Sequence, residues 1–431
     1  LQTQREVCEA KLAEHKAAHL FHAFVPEIVA KLGKFNSQEL SNTARAFATS
    51  GEASAALFEP LAAEAAGRLS TFNAQELANL GWSYATAGFS APALFEGIAT
   101  EAIARLAGIA PRFNRFSPQG LANIAWAFAT AGYWEEELFE HLAMESWLRL
   151  EEFNPQNVAN MAWAFAVFGA PSGRVLFGSP KFVERCEELG AEFGREELFQ
   201  LHQWALWLRE RQEAALTSDE APWAKLPEGL GERCREAFFS REGTPSQLQF
   251  NVTKALRLLV SGKVPTKVKR EDRCLETGYT IDAVIERGAE RVAVEIHGPW
   301  HFLGRSAQQL RVNRPSSDAV AVGWASAADE QHEMGGAMLI KQRQLRHFGW
   351  KLLNVPYWEW NALSQNVDAD TPRRKQEYLR MKLEEKGFIV IPRPPSPKCP
   401  VEPPPPPKVA PPPGWVNFFA PSPQSSGGTT S

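Results

Sequence analysis

Long apolar runs are absent from this chain of 431 residues. None approaches the roughly 18 residues that a membrane-spanning helix needs, so a soluble protein is expected and contact with a membrane is not. Cysteine is scarce: Cys8, Cys186, Cys234, Cys274 and Cys399 are odd in number, widely spaced and form no CxxC pair. That excludes a zinc ribbon or a disulfide scaffold and predicts reduced thiols. A surplus of positive charge is missing as well, since 46 Lys and Arg face 50 Asp and Glu for a formal net charge of -4. A nucleic-acid partner would therefore have to be met by local clusters of cations. An initiating methionine is lacking too. The chain opens at Leu1 with LQTQREVCEAKLAEHKAAHLFHAF, which mixes acids and bases like a helix rather than a signal or transit peptide, and a longer natural N-terminus is expected.

What is present is an ordinary globular composition, 44% hydrophobic and 22% charged, in a length that suits two or three domains. Between Phe35 and Gly169 one pattern recurs four times: FNSQELSNTARAFATSG from Phe35, FNAQELANLGWSYATAG from Phe72, FSPQGLANIAWAFATAG from Phe116 and FNPQNVANMAWAFAVFG from Phe153. Spacings of 37, 44 and 37 residues are those of a helical solenoid. A fifth, degraded copy starts at Phe193.

Each copy reads as a helix start. Asn or Ser after the opening Phe is an N-cap, Pro118 and Pro155 sit at the first helical position, and Glu39 and Glu76 complete capping boxes. The glycine at the end of each copy predicts a C-cap. A second helix follows, from Ala56, Ala93 and Glu137, with apolar residues such as Leu94, Phe95, Ile98, Ala102 and Leu106 at the 3.6 period. One such pair cannot bury its apolar face alone, whereas stacked neighbours can. Asn42, Asn79, Asn123 and Asn160 recur in every copy, so they cannot discriminate bases and are expected to bond neighbouring backbone. Base readers should vary, which points to Glu39, Glu76, Gly120, Asn157 and Arg45. Trp82, Trp126 and Trp163 are expected in the core.

Over about Lys31 to Leu208 the chain resembles the octotricopeptide repeats of organellar RNA-binding proteins, whose motif also reads like PQELANLLWALA. The resemblance implies binding of single-stranded RNA along the concave face.

From Leu216 to Pro227 two prolines break the period and predict a linker, followed by a helix, a turn at Gly243 to Pro245 and a second helix capped by Ser246. Lys263, Lys267, Lys269, Arg270 and Arg273 then fall within eleven residues, either as a solvated loop or as phosphate contacts that add affinity without sequence choice. The tail from Ile391 is proline-rich and is expected to be extended and disordered.

Between these lie YTIDAVIER from Tyr279 and VAVEIHGPWHF from Val292, two strand patterns joined at Gly288-Ala289-Glu290 into a hairpin that brings Asp282 near Glu295. A helix with Lys341 and Arg343 and a strand from Trp350 to Val355 follow. This order is the layout of a PD-(D/E)xK nuclease core, in which two carboxylates hold a divalent cation, Mg being the expected one. Asp282 and Glu295 suit the metal and catalytic roles, and His297 stands where the lysine usually does, as a base or ligand. Trp350, Tyr357, Trp358 and Trp360 read mostly as core, with one or two available to stack an unpaired base.

The same stretch resembles a RAP domain through Val294-Glu295-x-His297-Gly298-Pro299-x-His301-Phe302, Gly336, Lys341-x-Arg343-x-Leu345, Gly349-Trp350, Val355-Pro356-Tyr357-x-x-Trp360 and Tyr378-Leu379. The resemblance implies a small restriction-endonuclease-like α/β fold and a role in RNA binding or processing. The expected architecture is thus an N-terminal helix over 1–30, an α-helical repeat solenoid over 31–215, a linker and helix over 216–246, a RAP region over 247–388 with its core at 279–383, and a tail over 389–431. RNA contacts are expected from Lys263, Lys267, Lys269, Arg270, His301, Lys341 and Arg343. Family resemblance places such a protein in a mitochondrion or chloroplast, acting on rRNA or mRNA. A Mg-dependent endoribonuclease and a protein-binding scaffold of a ribonucleoprotein are the competing expectations.

Overall fold

The computed structural model describes residues 19–108, 115–215, 223–260, 265–303, 333–364 and 370–389. The proline-rich tail, Lys263 and most of the expected linker lie outside them. Among the described residues no helix is long and apolar enough to cross a membrane.

Residues 19–31 form helix α1, and the repeats then build two layers. The first helices are α2 (Ser37–Ser50), α4 (Ala74–Ala87), α6 (Pro118–Ala131) and α8 (Pro155–Phe168), each stacked on the next. The second helices are α3 (Ala55–Ala66), α5 (Pro92–Leu106) and α7 (Glu136–Leu148); the fourth repeat divides its second helix into α9 (Arg174–Phe177) and α10 (Pro180–Glu188). Local chemistry sets the ends of the first helices. Asn36, Asn73, Ser117 and Asn154 each accept the third backbone N–H, at 2.8, 2.9, 3.1 and 2.9 Å. Gly51, Gly88, Gly132 and Gly169 close them at φ of 77, 70, 72 and 66°, the left-handed region where a Cβ is costly.

A second device ties the layers together. Near the end of each second helix an arginine reaches back to the carbonyl of the phenylalanine that opened its own repeat: Arg68 to Phe35 at 2.6 Å, Arg105 to Phe72 at 2.7 Å, Arg149 to Phe116 at 2.8 Å and Arg185 to Phe153 at 2.8 Å. Glu64, Glu101 and Glu145, one turn earlier, pair with the first three. Arg105→Met keeps the aliphatic bulk and leaves the Phe72 carbonyl without this donor. It should cost about 1–3 kcal/mol, read from the denaturation midpoint, and a midpoint equal to wild type would remove the clasp from the account.

The fifth copy is real as structure. Phe193 is buried, and α11 (Arg195–Ala215) stacks on α8 as each first helix does on its predecessor, with α12 (Glu228–Phe239) as its partner. The chain then enters an α/β module. Helix α13 (Gln247–Leu259) begins in a Ser246/Gln249 capping box. Strands β1 (Lys267–Arg273), β2 (Thr280–Arg287) and β3 (Glu290–His297) form an antiparallel meander. The β2–β3 turn is the Gly288-Ala289 pair, with Arg287 opposite Glu290. Short strands β4 (Phe302–Leu303) and β5 (Glu333–Met334) pair on their own. Helix α14 (Gly336–His347) returns the chain so that β6 (Lys351–Pro356) lies parallel to β3, giving the order β1-β2-β3-β6. Helices α15 (Tyr357–Ala362) and α16 (Thr371–Glu385) complete it.

The two faces of the sheet are buried by different partners. Ala283, Ile285, Val292, Val294, Ile296, Leu353 and Val355 pack on Val252 and Leu256 of α13 and on Leu379 and Leu383 of α16. Val284, Ala293 and Leu352 pack on Leu345 of α14 and, from the solenoid, on Phe199 and Leu206 of α11 and Phe238 of α12. The last helices of the solenoid are therefore a layer of the α/β module, and the two parts share a core.

Candidate functional site

Strand alternation puts Glu295 and His297 on the same side of β3 as Ala293, facing α14, while β6 adds Asn354 alongside. Asp282 enters from β2. Its Oδ2 accepts the backbone N–H of Ile296 at 2.7 Å, and its Oδ1 accepts Gln249 Nε2, from the first turn of α13, at 2.6 Å. Glu295 is 3% exposed, and its Oε2 accepts Lys341 Nζ at 2.6 Å. Its other oxygen, Oε1, is buried and has no hydrogen-bond partner among the described residues. Burial pushes the Glu295 carboxyl up to about 7; the Lys341 ammonium works against that and the Asp282 carboxylate reinforces it. The group is thus poised to hold or release a proton near neutrality. Next to Asp282 in the chain direction of β1, Glu271 has a φ of 51°, a local strain at the site's edge.

His297 stands at the end of β3, 2% exposed, with Nε2 3.1 Å from Asn354 Oδ1 and 3.5 Å from Gln342 Nε2. Burial lowers its pKa to about 4, so the ring is neutral at pH 7. The cation of this site is therefore Lys341 rather than His297. Sequence reasoning placed Lys341 among RNA contacts; the fold brings it across 46 positions onto Glu295.

The donor set does not fit a divalent metal. Among the described residues no three of His, Cys, Asp and Glu converge. Both Asp282 oxygens already accept short hydrogen bonds, and an ammonium rests on Glu295, so the two carboxylates through which a divalent cation would be held are engaged by the chain's own donors. Mg is accordingly given no role here.

The other expected contacts scatter. Lys267 and Arg270 are exposed on β1, at the open edge of the sheet. Lys269 pairs with Glu286 at 3.0 Å and Asp272 at 3.7 Å, while Arg273 is spent on the carbonyls of Phe238, Phe239 and Arg241. His301 is exposed, its ring 5.5 Å from that of His297. Arg343 points the other way. It donates to the carbonyls of Ala166 and Val167, the open C-terminus of α8, at 2.5 and 2.6 Å, and its Nε meets Glu210 at 3.0 Å. Its donors are occupied by the fold, so it tethers the module to the solenoid. Gln249, Gln342, Asn354 and Glu210 had no signal of their own in the sequence, being polar residues on amphipathic elements.

The repeats contribute a second surface. Gln38, Gln75, Gln119 and Gln156 are exposed on the first helices. One turn on come Asn42, Asn79, Asn123 and Asn160, and then Arg45, Trp82, Trp126 and Trp163. The indoles form a ladder, 6.5 Å from Trp82 to Trp126 and 6.4 Å from Trp126 to Trp163, with the Arg45 guanidinium 6.0 Å from the Trp82 ring. Trp163 is core, as expected, but Trp82 and Trp126 are only half-buried. Of the asparagines, Asn160 accepts a bond from the Gln200 side chain, at the matching position of α11. The variable positions Glu39, Glu76 and Asn157 prove to be cap residues that accept the N-cap N–H, and Gly120 fills the same place, so variation there follows helix capping.

No curated protein matches the chain. Residues 294–382 match the family model of the RAP domain, a stretch that holds Glu295, His297, Lys341 and Asn354 and leaves Asp282 and Gln249 before it.

Proposed function

We propose that this protein binds single-stranded RNA along the exposed face of its first helices and that the RAP module engages the strand where that face ends. The observation that carries this is continuity. Val167, one turn beyond Trp163, lies against Gly336 of α14, and Gln203, which takes the tryptophan position in α11, donates to Tyr279 Oη at 2.7 Å. The Gln-Asn-Trp stripe therefore runs directly under the module that a nucleic-acid-associated family model matches. Amides offer donors and acceptors to base edges, and half-exposed indoles and Arg45 offer stacking, worth about 1–3 kcal/mol per base. Resemblance to octotricopeptide repeats extends the proposal to mitochondrial or chloroplast rRNA or mRNA. The metal-dependent nuclease is disfavoured by the donor set described above.

Fluorescence anisotropy with an unstructured RNA tests it. Trp82→Leu combined with Trp126→Leu should weaken binding at least tenfold, with circular dichroism reporting the intact solenoid. Cations are few along the stripe, so the logarithm of affinity should fall against that of salt with a slope shallower than about -2. Absence of binding to a random single-stranded RNA pool would end the proposal.

A further inference from the structure

In the nuclease-like layout Asp282 is satisfied by neutral donors, and the buried Glu295 is met by a cation of the chain itself. We infer that the Lys341 ammonium occupies the cation position of this site, so that the RAP module is built to work, and to stay folded, without a divalent metal. Asp282 and Glu295 lie on adjacent antiparallel strands one step beyond the Ala283–Val294 pair, close enough for the Asp282 charge to be felt at Glu295. Lys341 reaches Glu295 from α14, at 2.6 Å from Oε2. Gln249 and the Ile296 N–H close the other side by holding both oxygens of Asp282.

The helix of Lys341 is fixed at both ends of the contact with the solenoid, by Arg343 on the α8 carbonyls and by the approach of Gly336 to Ala129. A lysine on a seated helix differs from one on a mobile loop, because its Cα stays within reach of Glu295. The orphaned Oε1 of Glu295 is the one oxygen through which a second cation could enter, and it is buried. The consequence is a paired Glu295 whose state does not respond to the Mg²⁺ concentration around it.

Mn²⁺ is the probe, titrated into the full chain and followed by electron paramagnetic resonance of the free ion and by thermal unfolding. Wild type and Glu295→Gln are expected to take up the same amount of Mn²⁺, with no stoichiometric site below about 1 mM and no rise in Tm. Lys341→Ala is expected to gain one Mn²⁺ per chain, with a rise in Tm that Lys341→Ala/Glu295→Gln lacks. Stoichiometric binding by wild type that Glu295→Gln abolishes would overturn the inference, and so would a folded Lys341→Ala that gains no site. If Lys341→Ala does not fold, the comparison of wild type with Glu295→Gln decides alone: equal uptake supports the inference and Glu295-dependent uptake overturns it. RNA affinity plays no part in these readouts, so this result and that of the RNA experiment stand separately.

Discussion

Gly336→Ala should cost at least about 3 kcal/mol, the upper end of what one inserted methyl does in a packed interior. A Cβ at this position would lie 2.0 Å from the Ala129 carbonyl oxygen, 2.8 Å from its carbon and 3.1 Å from Val167 Cγ1. The nearest obstacle is backbone at the end of α6, and that carbonyl is already engaged by the Gly132 N–H at 3.2 Å, so it cannot swing aside as a side-chain tip would. What yields is the seat of α14. Because the same helix carries Lys341, Arg343 and Leu345, the strain should spread to the Glu295 site, the α8 cap and the shared core. Hydrogen exchange should show faster opening of α14 and of the ends of α6 and α8, with α2 and α4 unchanged. A wild-type midpoint, or exchange that rises evenly over the solenoid, would mean that the module is not seated through this contact. Arg343→Met is the companion change: it removes the α8 cap and leaves Glu210, which burial already raises, without its cation.

The difference between what the sequence announced and what it hid follows the range of the interaction. Asn36, Glu39 and Gly51 act within one helix, and the Gly288-Ala289 turn sets the register that brings Asp282 beside Glu295; such features repeat or alternate, and they were legible. The solenoid, the sheet and its helices were expected in the order found. Arg68, Arg105, Arg149 and Arg185 also recur, each 32 or 33 positions after the carbonyl it holds, and a search for one-repeat pairs would have exposed them. Lys341 was seen but its pairing with Glu295 was not, because helical residues 336–347 can present a lysine to solvent or to the sheet with the same pattern of neighbours. Only the packing of Leu345 on Leu352 and of Gly336 on α6 selects the second orientation. Glu39, Glu76 and Asn157 were singled out because they vary, and a cap at the third helical position tolerates Glu and Asn alike.

The pairing of Lys341 with Glu295 should make stability depend on pH in a direction that few carboxylates show. Glu295 titrates near 7 in the fold against an ordinary value of 4.5, so between those values the folded state binds more protons than the unfolded one. Stability therefore falls as pH rises through this window, by about 3 kcal/mol for this group, and is level above it. His297 opposes the trend, since its depressed pKa makes stability rise from about 4 to 6.5, and the wild-type curve alone is nearly flat where the two overlap. The difference between wild type and Glu295→Gln isolates the carboxyl, and wild type should lose ground to the variant steadily from pH 4.5 to 7. Lys341→Met removes what holds the Glu295 carboxyl down, so the loss should continue above pH 7. Its penalty against wild type should be small at pH 5.5, where Glu295 is protonated in both, and should reach about 2 kcal/mol at pH 8.5, the most that one retained proton allows between pH 7 and 8.5. Adding Glu295→Gln to Lys341→Met should flatten that rise, because the group whose ionisation causes it is gone. A Lys341→Met penalty that is the same at pH 5.5 and 8.5 would show that the lysine contributes packing by its aliphatic stem, and that its charge is not what the buried glutamate answers to.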